Sequence, residues 1–553
     1  MINKIWQYIK SRKYVLIFSC VYFLIRLAFL NSYFFLRDER DLFLTALSLA
    51  QTGKDLYGHV LPLIFLRISP QAPLLGMYWT VPMLSFFHIM TPLFVKILYI
   101  LPTLFFPLFV YELLLEVTKE KKISFIASFV ISFSPWFYHI SRLGIEAHLA
   151  YFFCLFGLIL YIRKQKIIAL LFLVLSYFSY FGIRPFIFIV VPYIELWEYF
   201  LSAKKPWNKL VASLFIFAFL FSCVYLASSQ LENTAARSTS EVIFLNKEKL
   251  SSDTNFLRSI SDVPFFVRGI FDNKVSIIFQ SLFNNFFKGI DFSYLFFTGD
   301  YVGIYANQIT GQFFPFLFIF LIFGICYLAK KKRDDYYFIA GFSIVGLISS
   351  LINSYSLTFS IRSIFSLLGI GFICALGIVY FYELCDKKVG KLFIGLSIFV
   401  YVFFSIHFAY KYLFQHYKVI NAAFNEQEKY LAIYCKEHAI KNIFVPNIHS
   451  YYLSYLSTFP SLSPKIFQQV QIELNKQNGY LLDGRRFNQC RDEQFNPASI
   501  NDLPGSSIIE TSCLSAKSKL YIRTYTPKNI IPIPDTQYDY GNINRNIKYY
   551  FVK

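Results

Sequence analysis

Apolar runs of about 20 residues recur from Tyr14 to the neighbourhood of residue 413, and short clusters of lysine and arginine separate them. Inside a bilayer no water is available to a backbone N–H or C=O, so each run must satisfy its own hydrogen bonds as a helix. That requirement restricts the chain to a bundle of membrane helices. With 56% hydrophobic residues over 553 positions, an ordinary soluble enzyme is excluded. The net charge of +20 would suit a nucleic-acid binder only if it were gathered on one face. Instead the cations fall at Lys10–Lys13, Lys119–Lys122, Arg163–Lys166, Lys204–Lys209, Lys330–Arg333 and Lys387–Lys391. These are the positions of cytoplasmic loop anchors, and no nucleic-acid partner is expected.

With those clusters inside, the runs alternate across the membrane. The expected spans lie near 14–31, 92–117, 123–138, 147–162, 167–181, 183–200, 210–228, 313–329, 337–353, 359–384 and 392–413. The reading is a multi-pass protein of the cell inner (plasma) membrane, with about 11 transmembrane helices, a cytoplasmic N-terminus and an external C-terminus. A first outer loop covers 32–91 and a large outer loop 229–312. The first run ends Asn31-Ser32-Tyr33-Phe34 without the small residues of a cleavage site, so it reads as an uncleaved helix. From 416 to 553 the runs shorten and Asn, Gln, Ser and Pro become frequent. Strands are expected at Asn442–Val445 and Lys519–Tyr525 and a helix at Glu428–His438, giving a small extracytoplasmic α/β domain. Of the cysteines in this tail, Cys490 and Cys513 form the expected disulfide.

The first outer loop holds the most informative polar residues. Arg37-Asp38-Glu39-Arg40-Asp41 precedes Leu42–Ala50, an apolar helix expected at the membrane interface and closed by Gly53. Ionisable groups at the edge of a bilayer mark working sites more often than packing. The plainer reading is a helix N-terminus, where carboxylates complement the dipole. Further along, at the outer end of the third or fourth span, Arg142 and Glu146 are spaced i,i+4 and are expected to share a helix face. That pair is either a mutual salt bridge or a cation and an acid lining a cavity. Arg184, in Tyr180-Phe181-Gly182-Ile183-Arg184-Pro185, and Arg362 break apolar stretches on the outer side, against the charge bias. A guanidinium binds phosphate oxygens bidentately, although snorkelling to bilayer phosphates is the alternative. Lys288, Asp291, Tyr294 and Gly299-Asp300 mark a structured outer loop. No His/Cys cluster, outer DxD motif or Gly-rich phosphate loop occurs. No cofactor is expected, and a divalent metal is possible but not indicated.

These segments together resemble the bacterial dolichyl-phosphate-mannose–protein mannosyltransferase and aminoarabinose-transferase superfamily of GT-C fold glycosyltransferases. The resemblance rests on Arg37-Asp38-Glu39, Thr52-Gly53-Lys54-Asp55, Tyr57-Gly58, Leu61-Pro62-Leu63, Gln71-Ala72-Pro73-Leu74 and Tyr78. It continues through Phe133-Ser134-Pro135-Trp136, Ser141–Glu146, Phe292–Asp300 and Gly311-Gln312-Phe313-Phe314-Pro315, within residues 14–415. Before Arg362 the chain departs from the family, with Ser354-Tyr355-Ser356 where a Pro-His-type turn is often found. The resemblance implies a transmembrane domain over 1–415 that works as an inverting glycosyltransferase. Its donor would be a polyprenyl-phosphate-linked sugar and its acceptor a lipid, glycan or protein. The family's first-loop acid carries onto Asp38 as catalytic base, with Glu39 as neighbour. Arg142, Glu146, Tyr180, Arg184, Lys288 and Arg362 are the expected substrate-binding residues. A flippase or transporter of lipid-linked sugars, or a lipid-linked oligosaccharide ligase or polymerase, would share many of these features. A flippase would also need polar residues near the middle of the membrane, and few are present.

Overall fold

The computed structural model describes residues 2–30, 37–55, 60, 74–87, 91–201, 217, 241–300, 307, 309–354, 360–385 and 387–416. Beyond those it describes residues 431, 433–435, 437, 438, 440 and six strands. In chain order the helices are α1 (Ile2–Leu27), α2 (Arg37–Thr52), α3 (Leu74–Phe87), α4 (Pro92–Ile100), α5 (Phe106–Thr118), α6 (Lys121–Ser132), α7 (Pro135–Ile140), α8 (Ala147–Ile162) and α9 (Lys166–Ser179). They continue as α10 (Arg184–Leu201), α11 (Lys247–Ile260), α12 (Phe265–Phe271), α13 (Lys274–Ile290), α14 (Leu317–Lys331), α15 (Asp334–Val345), α16 (Ile348–Leu351), α17 (Ile364–Leu384) and α18 (Lys387–Lys411). The chain forms two compact units. One comprises residues 1–30, 70–76 and 97–416, the other 31–69, 77–96 and 417–553.

The first unit is helical and largely apolar. Among the described residues three helical stretches, Leu93–Thr118, Ile364–Leu384 and Lys388–His416, are long and apolar enough to cross a membrane. Ala147–Ile162 and Lys166–Ser179 are shorter apolar helices. Helix α17 is the buried centre, with Ile364 through Leu376 largely shielded from solvent. It packs on α14 through glycines: a Cβ at Gly377 would collide with the Phe320 carbonyl oxygen, and one at Gly324 with that of Ile373. Membrane helices gain no hydrophobic drive toward one another, and small residues let their backbones approach. By contrast, α18 leaves Leu392 75% and Phe399 68% exposed, an apolar surface suited to lipid. Lys119 and Lys332 close α5 and α14 with φ of 58° and 48°. Each donates its N–H back four residues, to Leu115 and Leu328, and each places a cation at the negative end of its helix.

Two expected spans are interrupted. The span expected at 123–138 stops at Ser132 and restarts as α7, because Ser134 accepts from the Phe137 N–H at 3.2 Å and Pro135 occupies the first helical position. The span expected at 337–353 breaks after Val345, where Gly346 lies against the backbone at Ser366. The expected span at 210–228 lies outside the described residues apart from Phe217.

The second unit holds α2, most of α3, the start of α4 and a six-stranded sheet. Its strands are β1 (Asn442–Val445), β2 (Gly479–Leu482), β3 (Arg485–Gln489), β4 (Ser507–Glu510), β5 (Ile530–Ile533) and β6 (Tyr549–Val552), in the order β2-β3-β1-β4-β6-β5. The central strand β1 runs parallel to β3 and β4, pairing Ile443 with Phe487 and Ile508, and the outer pairs are antiparallel. Ile443 and Ile509 are buried. Helical residues 431, 433–435 and 437 fall in the expected helix Glu428–His438. The expected strand at Lys519–Tyr525, Cys490 and Cys513 lie outside the described residues.

Candidate functional site

Helix α2 carries the first-loop acids. Asp38 is in its first turn, and its side chain lies outside the described residues. Glu39 is buried, and the Lys96 ammonium of α4 sits 3.1 Å from its Oε1 and 3.2 Å from its Oε2, with both side chains 2% exposed. Next to it, the Arg40 guanidinium donates from Nε and a terminal nitrogen to Asp41 Oδ1, each at 3.1 Å. Opposite charges therefore offset one another at two successive buried positions, which is what permits ionic groups there at all. The helix expected over Leu42–Ala50 forms, and residues 39–49 are buried. Gly53 closes α2 as expected: its φ is 69° and its N–H donates to Leu49 O at 2.9 Å. Ser48 and Thr52 then hold the turn, with Ser48 Oγ donating to Lys54 O at 2.9 Å and Thr52 Oγ1 to Ser48 O at 2.8 Å. Asp55 follows, 1% exposed. Burial, and then the Asp55 carboxylate, push the Tyr78 phenol above its ordinary range.

In the first unit, Arg142 and Glu146 do not share a helix. α7 ends at Ile140, Ser141 to Glu146 form a turn, and α8 begins at Ala147. Consecutive-helix spacing fails here because Gly144 lies in a segment that is not helical. The Arg142 guanidinium instead donates to the carbonyls of Arg26 at 2.8 Å, Ala28 at 2.7 Å and Phe29 at 3.2 Å. Arg26 is in the last turn of α1 and Ala28 and Phe29 follow its end, so Arg142 satisfies acceptors at and just beyond the helix terminus and adds charge where the dipole is negative. Arg26 is fully buried below it, stacked 3.7 Å from the Tyr22 ring centroid and donating to Ser132 O at 2.7 Å. Glu146 is 7% exposed and lies against Gly76, where a Cβ would come within 2.8 Å of the Glu146 Cβ.

Tyr180 and Arg362, far apart in sequence, are brought together. The Arg362 guanidinium, 12% exposed, donates to Glu241 at 2.7 Å and is also hydrogen-bonded with Tyr180. Arg184 is half-buried, stacked at 4.3 Å and 4.0 Å on Tyr177 and Phe181 while its Nε donates to Tyr177 O at 3.1 Å. Lys288 is exposed in the last turn of α13. Asp300, buried, accepts from both the N–H and the Oγ of Ser360 at 2.6 and 2.7 Å, which fixes the loop that leads to Arg362.

Three of the sequence segments behind the family resemblance prove to be one structural joint. Trp136 N–H donates to Gln312 O at 3.3 Å, Phe313 N–H to Leu295 O at 2.8 Å, and a Cβ at Gly311 would collide with the Phe296 backbone. Gly299 has φ 73° and packs on Thr310 O. Sequence reasoning missed Lys96, Glu241 and Arg26. Their partners lie 57, 121 and 106 residues away, and no local spacing signals such pairs.

No family model matches the chain, and no curated protein matches it. Among solved structures it is similar to the oligosaccharyltransferase of Archaeoglobus fulgidus in the apo form, at 12% identity and a TM-score of 0.42 over 81% of this chain. The chain spans 64% of the length of that protein. Another structure of the archaeal enzyme, AglB, holds an inhibitory peptide and a dolichol-phosphate, and matches at 12% identity and a TM-score of 0.40, covering 80% of this chain and 63% of that one. ArnT from Cupriavidus metallidurans, bound to undecaprenyl phosphate, matches at 9% identity and a TM-score of 0.44, covering 95% of this chain and 97% of that one. Likenesses of this strength carry no functional weight.

Proposed function

We propose that this protein is a membrane glycosyltransferase that moves a sugar from a polyprenyl-phosphate carrier to an acceptor hydroxyl or amine at the outer face of the inner membrane. The observation that supports it most is the ionic cluster of α2. Burying Glu39, Arg40, Asp41 and Lys96 together is costly, and such groups gather where charge develops during a reaction. In the proposed step the acceptor oxygen or nitrogen bonds to the anomeric carbon, the bond from that carbon to the phosphate oxygen breaks, and polyprenyl phosphate leaves. Attack opposite the leaving group inverts the anomeric centre. The acceptor proton passes to Asp38, whose help as general base is worth about 10²–10⁴-fold. Glu39 is engaged by Lys96, so the base role falls to Asp38, and Glu39 is a positioning residue. Arg184 and Lys288 are the proposed contacts for the lipid phosphate, Arg362 acts through its pairing with Glu241 and Tyr180, and Glu146 lines the sugar site. Arg142 holds the end of α1.

The test is transfer of labelled sugar from candidate polyprenyl-phosphate donors by the purified protein, followed by mass spectrometry of the product. A flippase would move the lipid across a vesicle and yield no product, and that outcome would overturn the proposal.

A further inference from the structure

The first unit contains a second feature that sugar transfer does not use. Between α6, α14, α17 and α18 lies an elongated cavity of about 290 Å³, walled by Phe129, Phe320, Val379, Phe393 and Val402. At one end stands Lys122, its ammonium 4.7 Å from the Tyr382 ring centroid. Along α6 the wall runs from Lys122 to Val130, about 12 Å at roughly 1.5 Å per residue, close to one leaflet of a hydrocarbon core about 30 Å thick. An apolar cavity of this kind holds no water, and in a bilayer the chain available to fill it is a lipid chain. A helix, about 10 Å across, is too wide for this volume.

The charge at the mouth selects the head group. Neighbouring charges have carboxylate partners: Lys331 lies 3.9 Å from Glu383, and Arg333 pairs with Glu120 and Asp335. Lys122 is exposed, and among the described residues no ion pair involves it. Lys121, Lys330 and Lys388 add positive charge at the same helix ends. We infer that the groove seats one acyl chain of an anionic phospholipid, with the lipid phosphate on Lys122 beside Tyr382. Basic pockets between membrane helices favour anionic head groups in this way. This seat is independent of the proposed transfer, because none of its residues takes part in that reaction.

The experiment is native mass spectrometry of the purified full chain in mild detergent, titrated with phosphatidylglycerol or phosphatidylcholine. One phosphatidylglycerol is expected to bind, at least about fivefold more tightly than phosphatidylcholine. Lys122→Ala should weaken phosphatidylglycerol about fivefold, the equivalent of about 1 kcal/mol for one cation near an anionic surface. Ser397→Phe, which fills the groove from α18, should abolish the bound lipid while leaving the thermal midpoint in detergent unchanged. Equal binding of the two lipids, wild-type binding by both variants, or displacement of phosphatidylglycerol by undecaprenyl phosphate would overturn the inference. Sugar transfer measured on the same samples separates this result from the enzyme proposal.

Discussion

Removing Lys96 from beneath Glu39 is the sharpest perturbation the structure offers. The two charges are 3.1 Å apart and both side chains are 2% exposed. At an effective dielectric of about 20 their attraction is about 5 kcal/mol, which offsets a desolvation cost of several kcal/mol per ion. Lys96→Met deletes the attraction and leaves a carboxylate buried without its cation, so a loss of about 3–5 kcal/mol is expected. Glu39→Met strands the ammonium and should cost a similar amount. The double variant, with two apolar side chains of comparable size, should recover most of the stability. The assay is unfolding by sodium dodecyl sulfate in mixed micelles, followed by tryptophan fluorescence for the wild type and all three variants. Destabilisations that simply add, or a Lys96→Met protein as stable as the wild type, would refute the assignment of Glu39 to Lys96.

Two other outcomes follow from the packing. Arg142→Ala should destabilise the protein by about 1–3 kcal/mol, because the buried Arg26 carbonyl and the part-buried Ala28 and Phe29 carbonyls lose their donor, and Arg142→Lys should recover only part because one ammonium cannot match the fork. The same titration measures it, and an Arg142→Ala protein of wild-type stability that lacks sugar transfer would return Arg142 to the substrate site. Gly377→Val should cost more than the roughly 1–3 kcal/mol of ordinary overpacking, because the added carbon meets the Phe320 backbone, whereas Gly395→Val, with open space around it, should be tolerated. Thermal midpoints in detergent compare the two, and equal midpoints would contradict the close approach of α14 and α17.

Local signals proved legible and distant ones did not. Gly53 announces the end of α2 because a left-handed residue is needed there, and the structure gives it φ 69°. Ser134-Pro135 was visible as a motif, yet its meaning as a cap that interrupts an apolar run emerged only from the backbone. The spacing of Arg142 and Glu146 misled, since i,i+4 has meaning only on a continuous helix and the chain turns between them. Arg362 reads in sequence as a cation open to phosphate, and the structure supplies Glu241 from 121 residues away. Lys96 looks like a stray charge at the edge of an apolar run until α4 meets α2. Hydropathy reports which residues avoid water, but it carries no information on which buried charge answers which.

The central claim, that a first-loop acid drives sugar transfer from a lipid phosphate, is tested most directly by comparing wild-type protein with Asp38→Asn. Both would be purified in detergent and supplied with labelled polyprenyl-phosphate sugar and acceptor, with product counted by mass spectrometry. The account predicts labelled product from the wild type and a loss of about 10²–10⁴-fold in the variant, with folding unchanged. Full turnover by Asp38→Asn would contradict it.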